Sequence, residues 1–376
     1  MSNTNKVVLS GYYGFDNIGD EAVLFSIITA LRKEIKDVQI TVLSNNPDKT
    51  KALYGVESVN RWDMKSVAKT IKVSDLLISG GGSLLQDVTS SKTVPYYLAI
   101  VKIAQFYKKK VVFYSQGIGP VNKGVSRWLI KKVVNKVDGI FVRDAASKKL
   151  LQEIGIKKEV GEALDPVLGI ELTDEKAVAK LDHKVKTVGI YLRPWKDEAH
   201  DKRLKESLMP GLIELLEKGY KLCFIPMHFE QDCDLAKELA KEVKEVAKTK
   251  EKLKEQNLDK KIEVVDRLLS IQEVLVYTES CDFVIGMRLH SLIMAAASKI
   301  PVLALSYDPK VTEFMKEIEV PHCLDTTTLT AEDFVKELRV LEASKEGQAQ
   351  HLQDILDAKR ERIYLPVWRI KELLEK

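Results

Sequence analysis

Short runs of apolar residues alternate with longer amphipathic stretches through most of this chain, which is the pattern of strands alternating with helices. Lys6 to Ser10 is an apolar run of strand length, and a glycine-rich turn follows it, Gly11-Tyr-Tyr-Gly-Phe-Asp-Asn-Ile-Gly-Asp20. From Glu21 to Ile35 the apolar residues Ala22, Phe25, Ile28, Leu31 and Ile35 recur at intervals that place them on one helix face. The same pattern predicts strands over Val38 to Leu43, from Leu76 up to the run Gly80-Gly-Gly82, over Val111 to Ser115 and over Gly139 to Val142. Helices are predicted over Tyr96 to Tyr107 and Trp128 to Val134. The strands are apolar at successive positions, so both of their faces are expected to be buried, as in a parallel sheet.

A second series starts at Thr187-Val-Gly-Ile-Tyr-Leu-Arg-Pro194. It continues with a helix near Leu208 to Leu216, a strand over Lys221 to Met227 and a highly charged helix from about Asp232 to Leu258. The charge run Lys241 to Lys254 reads as the solvated face of that helix. Strand Ile262 to Val265, helix Ile271 to Tyr277, strand Phe283 to Ile285, a small-residue helix from Ser291 to Ala297 and strand Ile300 to Leu305 complete the series. Between the two series, Glu162 to Val185 mixes Pro, Asp and Lys with weak periodicity, as a junction does. The tail from Gln350 to Glu375 predicts a helix broken at Pro366. The expected fold class is α/β, with an N-terminal Rossmann-like domain over 1–170 and a second over 171–350. Both are expected to be doubly wound and to face each other across a cleft, with a helical tail over 351–376 crossing back to the first.

Composition narrows the chemistry. Against 59 basic and 55 acidic residues the formal charge of +4 is small, and no Lys/Arg cluster with interleaved aromatics stands out, so nucleic acid is set aside as a partner. The four cysteines, at positions 223, 233, 281 and 323, form no CxxC pair or zinc spacing and read as reduced, buried thiols of a cytoplasmic protein. The six histidines, at positions 183, 200, 228, 290, 322 and 351, make no HxH or HExxH pair, so no metal is expected. No organic cofactor is expected either: Gly11, Gly14 and Gly19 do not have GxGxxG spacing, and no P-loop or GxSxG elbow occurs. The N-terminus enters its first strand without the apolar core of a signal peptide, and no run of about 18 apolar residues exists to span a membrane.

Candidate chemistry concentrates in Cys281-Asp-Phe-Val-Ile-Gly-Met-Arg-Leu-His290. A short strand ends at Gly286, Arg288 and His290 follow, and a helix begins. Ligands of parallel sheets bind outside the carboxyl ends of the strands, where helix N-termini point. Glycine permits close approach there, a guanidinium captures an anion with two hydrogen bonds, and an imidazole titrates near neutral pH. The structural alternative for His290 is a helix cap or a hydrogen-bonded core histidine. Glycines also close several predicted strands of the first half at one edge, namely Gly11, Gly80 to Gly82, and Gly117 with Gly119.

Five motifs, in order, carry a resemblance: Gly11 to Glu21, Gly80-Gly-Gly-Ser83, Gln116-Gly-Ile-Gly-Pro120, Phe141-Val-Arg-Asp144 and Gly286-Met-Arg-Leu-His290. Together they resemble the polysaccharide pyruvyltransferase family, and most closely its CsaB-type members, over roughly residues 6 to 310. That family is similar in fold to the B-type glycosyltransferases. The resemblance implies transfer of the pyruvyl unit of phosphoenolpyruvate onto two hydroxyls of one sugar, with release of phosphate. In the CsaB-type branch the implied acceptor is N-acetylmannosamine of a lipid-linked secondary cell-wall polymer precursor, which takes a 4,6-ketal that surface-layer domains recognise. A lipid-linked acceptor would draw a cytoplasmic enzyme to the inner face of the cell membrane, though no anchor is visible. Nothing in the sequence fixes an oligomeric state.

The resemblance assigns the donor to Arg193, Arg288 and the step Leu289-His290; Lys310, following Tyr307-Asp-Pro, is a further cleft candidate on the donor side. A donor bearing phosphate and carboxylate needs more than one positive group, and arginine suits both. His290 is the candidate for proton transfer, or for a phosphate contact without it. Arg288→Ala is expected to abolish turnover and leave the fold intact. The acceptor is assigned to Asp16, Asn17, Gly81, Gly82, Ser83, Gln116 and Arg143, with Asp16 able to bind or deprotonate a sugar hydroxyl; its structural alternative is an Asx turn or helix cap. Arg143 with Asp144 has the alternative of a structural pair at a strand end, and Arg193 that of a surface arginine. Two other functions compete: a glycosyltransferase of the same fold using a nucleotide sugar, and a non-catalytic glycan-binding scaffold. The cationic strand ends suit a small dianion better than a ribose or an uncharged glycan.

Overall fold

A computed structural model of the chain describes residues 4–88, 90–172, 178–179 and 184–375. They form two compact units, one of residues 1–169 with 359–376, the other of residues 170–358. The junction expected over Glu162 to Val185 lies partly outside the described residues, as does His183.

The first unit is built on a seven-stranded sheet, β1 (Lys6–Ser10), β2 (Gln39–Ser44), β3 (Glu57–Asn60), β4 (Leu76–Gly80), β5 (Lys110–Gln116), β6 (Gly139–Val142) and β7 (Gly161–Glu162). Their order is β3-β2-β1-β4-β5-β6-β7, and every pairing is parallel. The chain reverses its direction of travel across the sheet between β1 and β4, which is where doubly wound sheets open a ligand crevice. Helices α1 (Ile18–Glu34), α2 (Pro47–Tyr54), α3 (Met64–Val73), α4 (Thr93–Phe106), α5 (Gly124–Val134) and α6 (Ala145–Ile154) connect the strands. The region of α2, β3 and α3 carries no apolar run: β3 reads Glu-Ser-Val-Asn and is only half-buried. Polar caps form its helices instead, Asn46 before Pro47 and Asp63 before Met64.

The second unit repeats the plan with six strands, β8 (Thr187–Tyr191), β9 (Lys221–Phe224), β10 (Ile262–Val264), β11 (Phe283–Gly286), β12 (Val302–Ser306) and β13 (Cys323–Asp325). Their order is β10-β9-β8-β11-β12-β13, all parallel, with the switch between β8 and β11. Its helices are α7 (Glu198–Glu217), α8 (Phe229–Lys248), α9 (Leu258–Lys261), α10 (Ile271–Glu279), α11 (Leu289–Ala297), α12 (Pro309–Glu317) and the first part of α13 (Ala331–Leu374). The charged helix is shorter than expected. In α8 the buried stripe Leu235, Leu239, Val243, Ala247 has no apolar successor, so the helix ends at Lys248 and the chain turns to bury Leu253. Helix α7 begins ten residues before Leu208, where the Asp197 carboxylate accepts the His200 N–H at 2.8 Å.

The expected break at Pro366 is corrected: α13 is one helix of 44 residues that runs through it. Proline removes the donor for the carbonyl of Arg362, four residues back. The N–H of Leu164 donates to that carbonyl at 3.1 Å and supplies the missing bond. The tail is therefore the last part of a helix beginning at Ala331, and its residues 359–376 belong to the first unit.

Candidate active site

In the second unit the functional candidates gather beyond the carboxyl ends of β8, β11 and β12. Tyr191 of β8 is in register with Gly286 of β11, so Arg193 and Arg288 each lie two residues past a paired position on adjacent strands. The N–H of Met287 donates to the Tyr191 carbonyl at 2.8 Å and ties the two outlets together. Arg193 points its guanidinium between two rings, 5.2 Å from the centre of Trp195 and 4.9 Å from that of Tyr307. Its Nη1 donates to the Tyr307 hydroxyl at 3.1 Å, and among the described residues no carboxylate neutralises it. Tyr307 follows β12, so this contact passes over the end of β11; Gly286 is bare because a Cβ there would stand 2.8 Å from the Ser291 hydroxyl and 2.9 Å from the Leu292 side chain. Leu289 and His290 are the half-buried first residues of α11, whose N-cap residue, Arg288, makes no side-chain cap. The first N–H groups of α11 thus add their partial positive charge to this edge. Lys310 is exposed in the first turn of α12, its backbone N–H received by the Asp308 carboxylate at 2.9 Å.

Arg288 differs from the free anion fork expected of it. Its Nε donates to Asp232 Oδ2 at 3.0 Å, its Nη2 to the other Asp232 oxygen and, at 3.2 Å, to Gln231. Asp232 is fully buried and also receives the N–H groups of Met227 and His228. Only the Nη1 edge of Arg288 remains to meet a ligand, and Asp232 cancels its charge. Removing the side chain would strand a buried carboxylate, so Arg288→Ala is not the neutral probe of function that the sequence suggested. His228, just past β9, is a second imidazole at this edge, and its Nδ1 is buried without a hydrogen-bond partner.

The first unit gathers a different set past β1, β4, β5 and β6. Arg143, 10% exposed, donates to Asp165 at 3.3 Å and to the Ser83 hydroxyl at 3.2 Å, with Asp144 3.7 Å away. Gly117 leaves room for it: a Cβ there would stand 3.0 Å from the guanidinium. Gly82 has φ +73°, and a Cβ on it would face Asp20 Oδ1 at 3.2 Å, so both its conformation and its missing side chain are needed beside that carboxylate. Asp20 is half-buried in the first turn of α1, and its pKa is pushed up to about 7, first by burial, then by Glu21 and Asp165, with Arg143 opposing. Next to it, Glu21 accepts the Gly14 N–H at 2.7 Å and the Tyr54 hydroxyl at 2.6 Å, and burial holds its pKa above the usual carboxylate range.

Three expected acceptor residues hold structure instead. Asp16 has φ +58° and pairs with Lys49 at 2.5 Å on the surface. The Asn17 side chain caps α1, accepting the Gly19 N–H at 3.0 Å. Gln116 is fully buried, its amide donating to the Ser79 carbonyl and hydroxyl, so it braces the loop instead of lining a groove. Of the others, Gly82 and Arg143 lie beside Asp20, Ser83 meets Arg143, and Gly81 faces Val23 of α1.

The sequence profile of the family described as polysaccharide pyruvyl transferase matches residues 17–309. The chain belongs to the polysaccharide pyruvyl transferase family. A relative, the amylovoran biosynthesis protein AmsJ of Erwinia amylovora, is 23% identical, with 84% of this chain and 86% of that protein covered. Among solved structures the fold resembles the UDP-GlcNAc 2-epimerase of Neisseria meningitidis (TM-score 0.62, 12% identity, 98% and 100% of the two chains covered). It also resembles a glycosyltransferase of Rickettsia africae (TM-score 0.60, 15% identity, both chains fully covered). The family member described here therefore has the GT-B-like plan of two parallel α/β sheets, and it is a transferase of polysaccharide biosynthesis. Within its matched region, Asp20 and Asp232 escaped sequence inspection for one reason: a carboxylate in the first turn of a helix ordinarily complements the helix dipole. The available signal for Asp20 was its place inside the glycine-rich motif.

Proposed function

We propose that this family member moves the pyruvyl unit of phosphoenolpyruvate onto two hydroxyls of a sugar, forming a ketal and releasing phosphate. Arg193 carries the proposal: a half-buried guanidinium without a carboxylate partner, beside an uncapped helix N-terminus, is built for a small polyanion. The second unit takes the donor, with Arg193, the Nη1 edge of Arg288, Leu289, His290 and Lys310 around its phosphate and carboxylate. The first unit takes the acceptor, with Gly81, Gly82, Ser83, Arg143 and Asp20.

Ketal formation begins with a proton delivered to C3 of the enol, which leaves C2 electron-poor. One sugar hydroxyl adds to C2 and loses its proton, phosphate departs with the electrons of the C2–O bond, and the second hydroxyl closes the ring. Of the two hydroxyl protons, one replaces the proton given to C3 and the other leaves with phosphate. Asp20, poised near neutral pH, fits the base that receives a hydroxyl proton. His290 either protonates C3 or holds the phosphate. The sugar proposed is an N-acetylmannosamine of a lipid-linked wall-polymer precursor, taken at its 4- and 6-hydroxyls.

The test is phosphate release from phosphoenolpyruvate with a panel of N-acetylhexosamine glycosides and their lipid-linked forms, the product read by mass spectrometry. A pyruvyl ketal supports the proposal. Turnover with UDP-sugars and none with phosphoenolpyruvate would make the chain a glycosyltransferase, and no turnover with either would make it a scaffold.

A further inference from the structure

We propose that the outer face of α4 and α5 in the first unit docks on an anionic lipid surface. From residue 88 to residue 137 the chain has no acidic residue and ten basic ones, although acidic and basic residues are nearly equal, 55 and 59, in the whole. At the chain's mean frequency such a stretch would hold about seven acids. Lys102, Lys108, Lys123, Lys131, Lys132 and Lys136 are exposed, and none of them pairs with a carboxylate among the described residues.

Large apolar side chains stand among these cations: Phe106 is 78% exposed, Val125 70% and Trp128 56%. They share one surface. In α4 the exposed stripe runs through Ala99, Lys102 and Phe106, and in α5 through Val125, Trp128 and Lys132. The two helices follow adjacent parallel strands, so they run in the same direction, and Gln105 of α4 donates to the Val133 carbonyl of α5 at 3.0 Å. Phe106 is thus level with Val133, five residues beyond Trp128 or about 8 Å along an axis. With helices about 8–10 Å apart, the apolar groups and their cations fit one patch of about 15 Å. Lys132 sits 4.7 Å from the centre of the Trp128 ring, ready to keep its ammonium at the headgroups while the indole enters the interface.

Linear inspection for a basic cluster with interleaved aromatics misses this face, because helical spacing assembles it from separate segments; the expectation that no such cluster exists is corrected. A nucleic acid or an acidic protein would use the lysines and leave Phe106 and Val125 in water. An acyl boundary beneath anionic headgroups uses both. No helix among the described residues is long and apolar enough to cross a membrane, so contact of this kind is peripheral.

The full chain is tested by co-sedimentation with vesicles of equal parts phosphatidylglycerol and phosphatidylcholine, and with vesicles of phosphatidylcholine alone. Binding to the first, its loss in about 0.5 M salt, and little binding to the second are expected. The double variant Phe106→Ser, Trp128→Ser should partition at least about tenfold less, with circular dichroism and thermal midpoint unchanged. Lys131→Gln with Lys132→Gln and Lys136→Gln provides a second variant expected to lose binding. The proposal falls if the wild type stays in the supernatant with anionic vesicles, or if the apolar variant binds them as the wild type does. It also falls if duplex DNA is bound as well as the vesicles, which would make the face a general polyanion site. None of these readouts depends on catalysis.

Discussion

Replacing Asp20 by Asn removes one ionisable proton and little else, because the two side chains are nearly isosteric. In the folded chain the pKa of Asp20 is pushed up from an ordinary 3.8 to about 7, with burial the largest cause. Between these values the unfolded chain has released a proton that the folded chain retains. Stability therefore falls as pH rises from about 4 to about 7 and is flat above. Three units correspond to about 4 kcal/mol as an upper bound, and partial contact with water reduces the expectation to about 2 kcal/mol. The Asn variant has no such slope, so it should gain about 2 kcal/mol on the wild type between pH 4.5 and pH 8 in urea denaturation. If Asp20 is also the base that accepts a sugar proton, the wild-type rate climbs with an inflection near pH 7, and the variant loses that limb and about 10²-fold in kcat. A stability difference that is the same at both pH values would refute the raised pKa. The expected stability change with an unaltered pH–rate profile would leave Asp20 a strained acid without a catalytic part.

Arg193→Ala should raise the KM for phosphoenolpyruvate by about 10–100-fold and move the thermal midpoint little, because the guanidinium has no carboxylate to orphan; equal KM values would relocate the donor. Arg288→Ala should cost about 3–5 kcal/mol of stability in urea, since Asp232 is left buried without its partner, and Asp232→Leu combined with Arg288→Met should recover most of it; an unchanged midpoint in the single variant would contradict the pairing. His290→Asn separates the two roles open to the imidazole: a proton carrier loses kcat while phosphoenolpyruvate still binds in calorimetry, whereas a phosphate ligand loses binding as well. Full activity in that variant would place the chemistry elsewhere.

The fold was legible where the sheet is buried on both faces. Strands such as Leu76–Gly80 and Phe283–Gly286 are buried at every position because helices cover each side, and a glycine marks where each stops. The elements that escaped inspection are held by side-chain caps on polar sequence, as with Asn46 and Asp63, or are half-buried like β3. Pro366 misled because the cost of proline in a helix depends on whether the orphaned carbonyl finds a donor. That donor, Leu164, lies about two hundred residues away in sequence. Site residues divide along the same line. Arg143 and Ser83 could be named from strand ends and glycines, whereas the pairing of Arg288 with Asp232 joins the outlet of β11 to the first turn of α8, 56 residues earlier, which no local pattern encodes.

That pairing changes which cation bears the donor's charge. A guanidinium whose countercharge is built into the protein presents a ligand with hydrogen-bond geometry and almost no net attraction. One without a countercharge presents both. In the proposed donor site Arg288 would orient and Arg193 attract, the latter flanked by the rings of Trp195 and Tyr307, which do not neutralise it. The consequence can be measured through salt: affinity for phosphoenolpyruvate should weaken with ionic strength in the wild type and in Arg288→Lys, and should lose most of that dependence in Arg193→Gln. A salt dependence that followed residue 288 in place of residue 193 would reverse the assignment and make Asp232 a ligand-displaced gate in place of a fixed partner.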